Sequence, residues 1–340
     1  MDISTVDPSD SGAFNAWYAA YVAATSHGRT DAPVWEKGEL LALLLEDDDH
    51  RTWEREIAAA VDGDTVVGSA WIDWPMKDNL NRGEFILGVV PDARHRGVGA
   101  ALYEHVATRL AARHRTVLAT RVNQPVDGPS APGSRFLERR GFTKVNVDAR
   151  RVLPMPVAPE RLARLHDEAA GEADGYTITT WVGACPERYG AQYARLKSLL
   201  STQAPLGDSV YEPESWDVDR LRNEERLLAR QNRVSVTALA VADDGAPVGH
   251  TQIVLPKGRD HAFQWDTLVL PEHRGHRLGM LLKVANVRAL NNLDASCRRV
   301  TTWNAVSNDA MNAVNDALGY RTVEVTEDWE KQGREPLPAM

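Results

Sequence analysis

Two kinds of apolar spacing alternate along this 340-residue chain. Phe14, Trp17, Tyr21 and Val22 form one stripe, and Leu40, Leu41, Leu44 and Leu45 another, at the three-to-four-residue spacing of a helix face. The spacing predicts mainly helix over 9–27 and 35–60. Short apolar, β-branched runs follow at 57–61, 66–74 and 84–90, separated by Asp62-Gly63-Asp64 and a longer polar turn. They predict an antiparallel meander, in which Trp71 and Trp74 differ in parity and so face opposite sides. Leu102, Val106 and Leu110 mark the next helix, Val117–Asn123 a strand, and Ser134–Arg140 a short helix ending at Gly141-Phe142. Val145–Val152 is expected to complete this first sheet. Strands and helices mixed in this way predict an α/β (α+β) chain.

The order then recurs. A strand is expected at 176–181, helices at 186–200 and 220–231, strands at 234–242, 248–255 and 263–270, then a strand at 299–303 and a helix at 310–318. Pro271, Arg274 and Gly279 correspond to Pro91, Arg94 and Gly99 at a constant offset of 180 residues. Val248-Gly249 before QIVLP matches Val67-Gly68 before WIDWP, and Leu318-Gly319-Tyr320 matches Arg140-Gly141-Phe142. Anchors in one order at nearly one offset point to a tandem duplication. The proline-rich stretch Leu153–Pro159, a charged helix and Gly171 and Gly175 mark a linker. The expected division is a first domain at 1–155, a linker at 156–175 and a second domain at 176–340, each long enough to bury its own core.

The chemistry concentrates in Glu84–Arg113, where a strand stopped by Pro91 runs into Arg94-His95-Arg96-Gly97-Val98-Gly99 and then a helix. The first turn of a helix leaves N–H groups unpaired at the positive end of its dipole. Glycines let the backbone close around a phosphate, and arginines add charge at the rim. A dinucleotide fold would require a third glycine where Leu102 stands and a carboxylate about 20 positions on, and Val117–Asn123 has none. A phosphate-binding G-K-[ST] loop is absent too. A plain glycine turn without ligand is the remaining alternative.

Strand, Val-Pro and then R-x-x-G-x-G resembles motif A of the GCN5-related N-acetyltransferases. The resemblance spans nearly the whole chain, extends to tandem enzymes of actinobacterial type, including some in antibiotic gene clusters, and implies two GNAT domains, each a twisted, mostly antiparallel mixed sheet flanked by helices. It implies that acetyl-CoA is the cosubstrate, with pantetheine along the backbone at Val89 and Val90, whose N–H groups polarise the thioester, and pyrophosphate on Arg94, His95, Arg96, Gly97, Val98, Gly99 and Ala100. In the second half Val269, Arg274 and Gly279 take these places, Arg277 stands where Gly97 does, and Gly275 lies two residues earlier. Asn308 matches the family's CoA-contacting asparagine, where the first half has Ser130.

An amine acceptor must lose a proton before it attacks. Glu84, on the strand entering the loop, is the first-domain candidate for that base, set one residue from the family's position unless a bulge intervenes. Asp266, a carboxylate inside a strand where such residues are disfavoured, is the second-domain candidate, with Gln264 beside it. Polar His27 and Asp31, after the first helix, border the expected acceptor site. The tyrosine that protonates the leaving thiolate in the family is replaced by Leu137 and Asn315; Ser134, one turn earlier and also an expected cofactor contact, and Tyr103 on the preceding helix are the substitutes.

Charge and composition narrow the partners. A net charge of −9 argues against nucleic acid or an anionic membrane as the main partner, and no apolar run approaches a membrane span. Cys185 and Cys297 lie far apart without metal-ligand spacing, and are expected to be buried thiols. The polar start is unlike a signal peptide, so a cytoplasmic location is expected. The expected function is acetyl transfer to a small-molecule amine in secondary metabolism, with no metal and one half catalytically silent. The alternatives are a non-catalytic or regulatory acyl-CoA binder and a peptide or protein N-acetyltransferase; oligomeric state stays open.

Overall fold

The computed structural model describes residues 1–46, 51–127, 131–203, 205, 207–209 and 211–332; Ser130 lies outside them. The chain forms two compact units, one of residues 1–145 with 327–332 and the other of residues 146–326.

Unit 1 opens with a strand absent from the sequence expectations, β1 (Asp2–Val6), followed by α1 (Ser11–Ser26) and α2 (Lys37–Leu44). Asp10 caps α1 by accepting from the N–H groups of Gly12 and Ala13. The helical reading of 35–60 fails at its end. Trp53–Asp62 is strand β2, because Glu54, Arg55 and Glu56 pair across to Trp74, Asp73 and Ile72 of β3 (Thr65–Pro75). Cross-strand partners outweigh the local helical preference of such charged residues. β4 (Arg82–Val89), α3 (Val98–Ala112), β5 (Val117–Gln124) and α4 (Pro132–Glu138) follow as expected.

The core of unit 1 lies between α3 and one sheet face: Val98, Leu102, Val106 and Leu110 pack on Ala58, Ala70, Ile72, Trp74 and Phe85. Approach is close enough that a Cβ on Gly83 would lie 2.3 Å from Leu110 Cδ2, so any side chain there would have to displace Leu110. On the opposite face Trp17 of α1 is fully buried, and its indole N–H donates to the carbonyls of Ala58 and Ala70. Trp71 and Trp74 are both buried, as their differing parity allows on a sheet covered on both faces.

Strand β6 (Thr143–Pro154) does not complete the first sheet. Its residues 148–154 pair antiparallel with 299–305 in unit 2. Unit 2 continues with α5 (Pro159–Ala170), β7 (Tyr176–Val182), α6 (Gly190–Ser198), the single turn α7 (Leu200–Gln203) and α8 (Val218–Arg230). Then come β8 (Arg233–Ala242), β9 (Pro247–Pro256), β10 (His261–Val269), α9 (Leu278–Leu293), β11 (Arg299–Ala305), α10 (Asp309–Leu318) and β12 (Arg321–Gln332). Leu162, Leu165 and Ala169 of α5 join α9 in the unit 2 core. This explains why α9 is apolar nearly all round, burying Leu278, Leu281, Leu282, Val284, Val287 and Leu290. Both cysteines are free and buried. Among the described residues no helix is long and apolar enough to cross a membrane.

The last six described residues, 327–332, belong to unit 1 beside β5. Trp329 enters the unit 1 core, Glu327 accepts from Ser134 and Lys144, and Glu330 pairs with Arg82 at 2.6 Å. This strand, too, is absent from the sequence expectations, and its partners lie far away in the chain. Trp329→Ala is therefore expected to destabilise unit 1 by about 3–5 kcal/mol, seen in urea unfolding as early loss of the α3 amide protection. Protection in α9 stays unchanged.

Candidate functional site

In unit 1, β4 and β5 pair in parallel from Arg82↔Val117 to Phe85↔Thr120, and there the ladder stops although both strands continue. A gap opens along Ile86–Val89. The Val90 N–H donates to the Val67 carbonyl, and its own carbonyl accepts from Ala93. Antiparallel alternation then turns the N–H groups of Leu87 and Val89 toward the gap. Of the two residues expected to present backbone there, Val89 does so and Val90 does not.

The loop after β4 is tied back to the strand by Arg94, whose Nε donates to the Val89 carbonyl at 3.2 Å. His95 and Gly97 both adopt left-handed φ, 61° and 86°. Gly97 is the N-cap of α3 and offers no capping side chain, and the first intrahelical bond is Ala101 N–H to Gly97. The N–H groups of Val98, Gly99 and Ala100 therefore point out at the positive helix end. Val98 is itself buried; His95, Arg96 and Gly97 are exposed. Arg96 bonds Asp62 at 2.6 Å. A Cβ on Gly99 would stand 3.4 Å from Phe136 and 3.6 Å from Val89, so Phe136 walls the passage from loop to gap.

On the α1 side of the same strand the β3–β4 ladder runs without a shift from Gly68↔Val89 to Asp73↔Glu84. No bulge moves Glu84. It stands opposite Asp73, a residue the sequence reading passed over. Two arginines serve four carboxylates here. Arg55 lies 3.0 Å from Glu46 and 3.5 Å from Asp73, and Arg82 lies 2.6 Å from Glu330 and 3.5 Å from Glu84. In each case the closer partner is the other carboxylate. Burial pushes the Asp73 carboxyl up to about 7, against the pull of Arg55 and of the Trp71 indole N–H at 2.6 Å, with Glu84 adding repulsion. The rings of Trp35 and Trp71 meet at 6.0 Å beside it. The rule that singled out Asp266, a carboxylate inside a strand, would have found Asp73 in WIDWP. His27 and Asp31 lie at the exposed end of α1 and in the loop after it.

Ser134 is not at the gap's surface. It is 2 % exposed, its Oγ donates to Glu327 and accepts from Gln124 Nε2. Leu137 is buried core, and Tyr103 Oη accepts from Lys331 at 3.3 Å.

Unit 2 repeats the frame with different contents. β10 and β11 pair only from His261↔Arg299 to Phe263↔Thr301, the Leu270 N–H donates to Val248, and Arg274 Nε donates to the Val269 carbonyl. The two left-handed residues recur at Gly275 and Arg277, φ 88° and 51°. Glycine and non-glycine have exchanged places relative to His95 and Gly97. Here the chain itself reaches the loop: the Glu172 carbonyl bonds His276, its carboxylate lies 3.5 Å from Arg277, and Tyr176 Oη bonds His273. Asn308 caps α10 by accepting from the Met311 N–H. Asn315 is fully buried, accepting from Lys283 and donating to Asn304; burial pushes Lys283 down to about 7. The β10 ladder shifts between Gln264 and Thr267, so the bulge lies here, at Asp266. Asp266 is 3.2 Å from Lys197 Nζ, and Gln264 donates to Thr251 and to the Gln252 carbonyl.

Parallel strands that part midway, with a helix-capping nest at the mouth, occur in each half of the chain. The acetyltransferase (GNAT) family model matches residues 14–142 and again residues 195–320. The chain belongs to the GNAT family. Its tandem arrangement is shared by a tandem GNAT protein from the clavulanic acid biosynthesis pathway, 24% identical, with a TM-score of 0.77 over 100% of this chain and 99% of that one. A GCN5-related N-acetyltransferase from Sphaerobacter thermophilus is 16% identical, with a TM-score of 0.66 over 99% and 97% of the two chains. A glucosamine N-acetyltransferase region of a fungal multi-domain GH3 β-N-acetylglucosaminidase is 13% identical, with a TM-score of 0.66 over 97% of this chain and 38% of that one. Likeness at these identities is one of fold. A comparison with curated proteins gives no match. Seen as two GNAT repeats, the parted strands β4–β5 and β10–β11 are the same feature, and the units differ in what surrounds it.

Proposed function

We propose that this GNAT protein is an acetyl-CoA-dependent N-acetyltransferase in which unit 1 carries the transfer to a small-molecule amine and unit 2 is silent. One observation carries the reading. On β4 of unit 1 the carboxylate pair Asp73–Glu84 lies on the α1 face just before the strand parts from β5, the gap along Ile86–Val89 follows it and leads to the anion nest, and burial pushes Asp73 up to about 7. The residues fit the cofactor: Val98, Gly99 and Ala100 offer N–H groups to a pyrophosphate, and Leu87 and Val89 offer them along the gap. Bound there, acetyl-CoA supplies an activated acetyl thioester.

The acceptor side follows from charge. Asp73 and Glu84 face each other across the ladder, each more distant from its arginine than that arginine's other carboxylate, and together they attract a cation; an amine arrives as its ammonium ion. Asp73, ionised in an appreciable fraction near pH 7, takes the proton that the amine must lose, while Trp71 and Arg55 orient its carboxylate. Glu84 raises the basicity of Asp73 and holds positive charge beside it. The base therefore passes from Glu84 to its cross-strand partner. In the pathway neighbour and the glucosamine-acetylating neighbour the named context is a small molecule, which favours that acceptor class here. The second reading, an acyl-CoA binder, draws on Leu137 and Asn315, neither of which can donate a proton as the family tyrosine does.

CoA release from acetyl-CoA, followed with a panel of amino sugars, amino acids, alkyl diamines and a basic peptide, tests the reading. Release with one of the small amines is expected. Release with the peptide alone would make the protein a peptide acetyltransferase, and tight acetyl-CoA binding with no release would make it a binder.

A further inference from the structure

Unit 2 holds a second polar cluster away from its loop and gap. Lys197 of α6 is 3 % exposed. Its Nζ lies 3.1 Å from Glu224 of α8 and 3.2 Å from Asp266 in the β10 bulge. The same nitrogen lies 4.7 Å from the centre of the Trp216 ring, which Arg220 also covers, and 5.7 Å from that of Tyr193. Behind it, His250 is fully buried, packs edge-on against Tyr193 at 5.2 Å, and has no hydrogen-bond partner at either ring nitrogen.

Two carboxylates and two aromatic faces around one nitrogen are what a receptor for a primary ammonium group presents. The carboxylates supply charge-assisted acceptors, and the ring faces supply their negative quadrupole. Burial holds the neighbouring His250 neutral, its pKa pushed down to about 4, so it adds no competing charge. Unit 1 presents carboxylates and indoles on the corresponding face of its sheet, and among the described residues the polar partners of Asp73, Glu84 and Trp71 are arginines and each other rather than a lysine.

We infer that the α6 side of unit 2 is an ammonium-binding cage filled by the chain's own Lys197, and that shortening Lys197 converts it into a site for primary alkylammonium ions. The cage stands on its own contacts. Its consequence, that unit 2 takes no acceptor because an internal ammonium already sits there, rests on the transfer reading of unit 1.

The test is thermal unfolding of the full chain as wild type, Lys197→Ala and Lys197→Met, in methylammonium, ethylammonium, n-butylammonium or sodium chloride at equal ionic strength. Lys197→Ala is expected to melt several degrees lower. n-Butylammonium, which replaces both stem and head, is expected to restore most of that loss, methylammonium less, and sodium none. The wild type should not respond, and the response should disappear in Lys197→Ala with Asp266→Asn. A folded Lys197→Ala that no alkylammonium stabilises over sodium would overturn the inference. Should Lys197→Ala fail to fold, Lys197→Met decides. Stability equal to wild type overturns the cage, whereas a loss recovered by adding Glu224→Gln supports it. No acetyl-CoA enters the measurement, so a missing cage and a missing transferase give separable results.

Discussion

Acetyl-CoA affinity is expected to fall about 100-fold or more in Gly99→Glu and to stay at the wild-type value in Gly279→Glu, measured by titration calorimetry. Glutamate in a first helical turn suits the helix dipole, so neither variant is strained. Both positions also have ordinary φ, unlike Gly97 at 86°, where any side chain would strain the turn and blur the result. The Gly99→Glu carboxylate would enter the nest formed by Val98, Gly99 and Ala100 and oppose the pyrophosphate by charge and by volume. In unit 2 the Glu172 contacts with His276 and Arg277 already occupy the loop. One binding site in wild type, lost only in Gly99→Glu, is the expected pattern. Loss in Gly279→Glu instead would move the cofactor to unit 2.

The second large effect belongs to Asp73. Asp73→Asn is expected to lower kcat/KM by about 10²–10³-fold, the range of a missing general base, and Glu84→Gln by much less. In the wild type kcat/KM should rise with pH and level off above about 7, because Asp73 acts only when ionised. Stability should move the other way. The Asp73 pKa is raised on folding from its ordinary 3.8, so the native state holds the proton more tightly than the unfolded chain. Its contribution is neutral below about pH 4, turns unfavourable as pH rises toward 7, and is fully unfavourable above that. Asp73→Asn removes this cost, roughly 2–4 kcal/mol, so its melting temperature should exceed that of wild type at pH 8 and match it at acid pH. A larger catalytic loss in Glu84→Gln than in Asp73→Asn would return the base to Glu84.

The sequence shows Asp73 as a strand carboxylate but not the environment that would make it a base. Its raised pKa comes from burial and from Glu84 across the ladder, against the pull of an arginine held more closely by Glu46, three facts that no local pattern contains. The rule against carboxylates inside strands applied to it as much as to Asp266. Asp266 turned out to lie against Lys197, 69 residues away in sequence.

The sequence by itself determined most of the elements, the repeat and the loops. Leu102, Val106 and Leu110 impose a helix behind Gly97 because a stripe at that spacing must be buried. The matching anchors at Arg94 and Arg274 imply two copies of one frame because the same local chemistry recurs in order. Only the tertiary structure decided partners. It sent 148–154 to β11, brought 327–332 to unit 1, and directed the Val89 rather than the Val90 N–H to the gap. The physical reason is range. Periodicity, capping and turn chemistry act over a few residues and can be read along the chain. Strand pairing, burial and charge compensation arise between residues far apart in sequence, and exist only once the chain is folded.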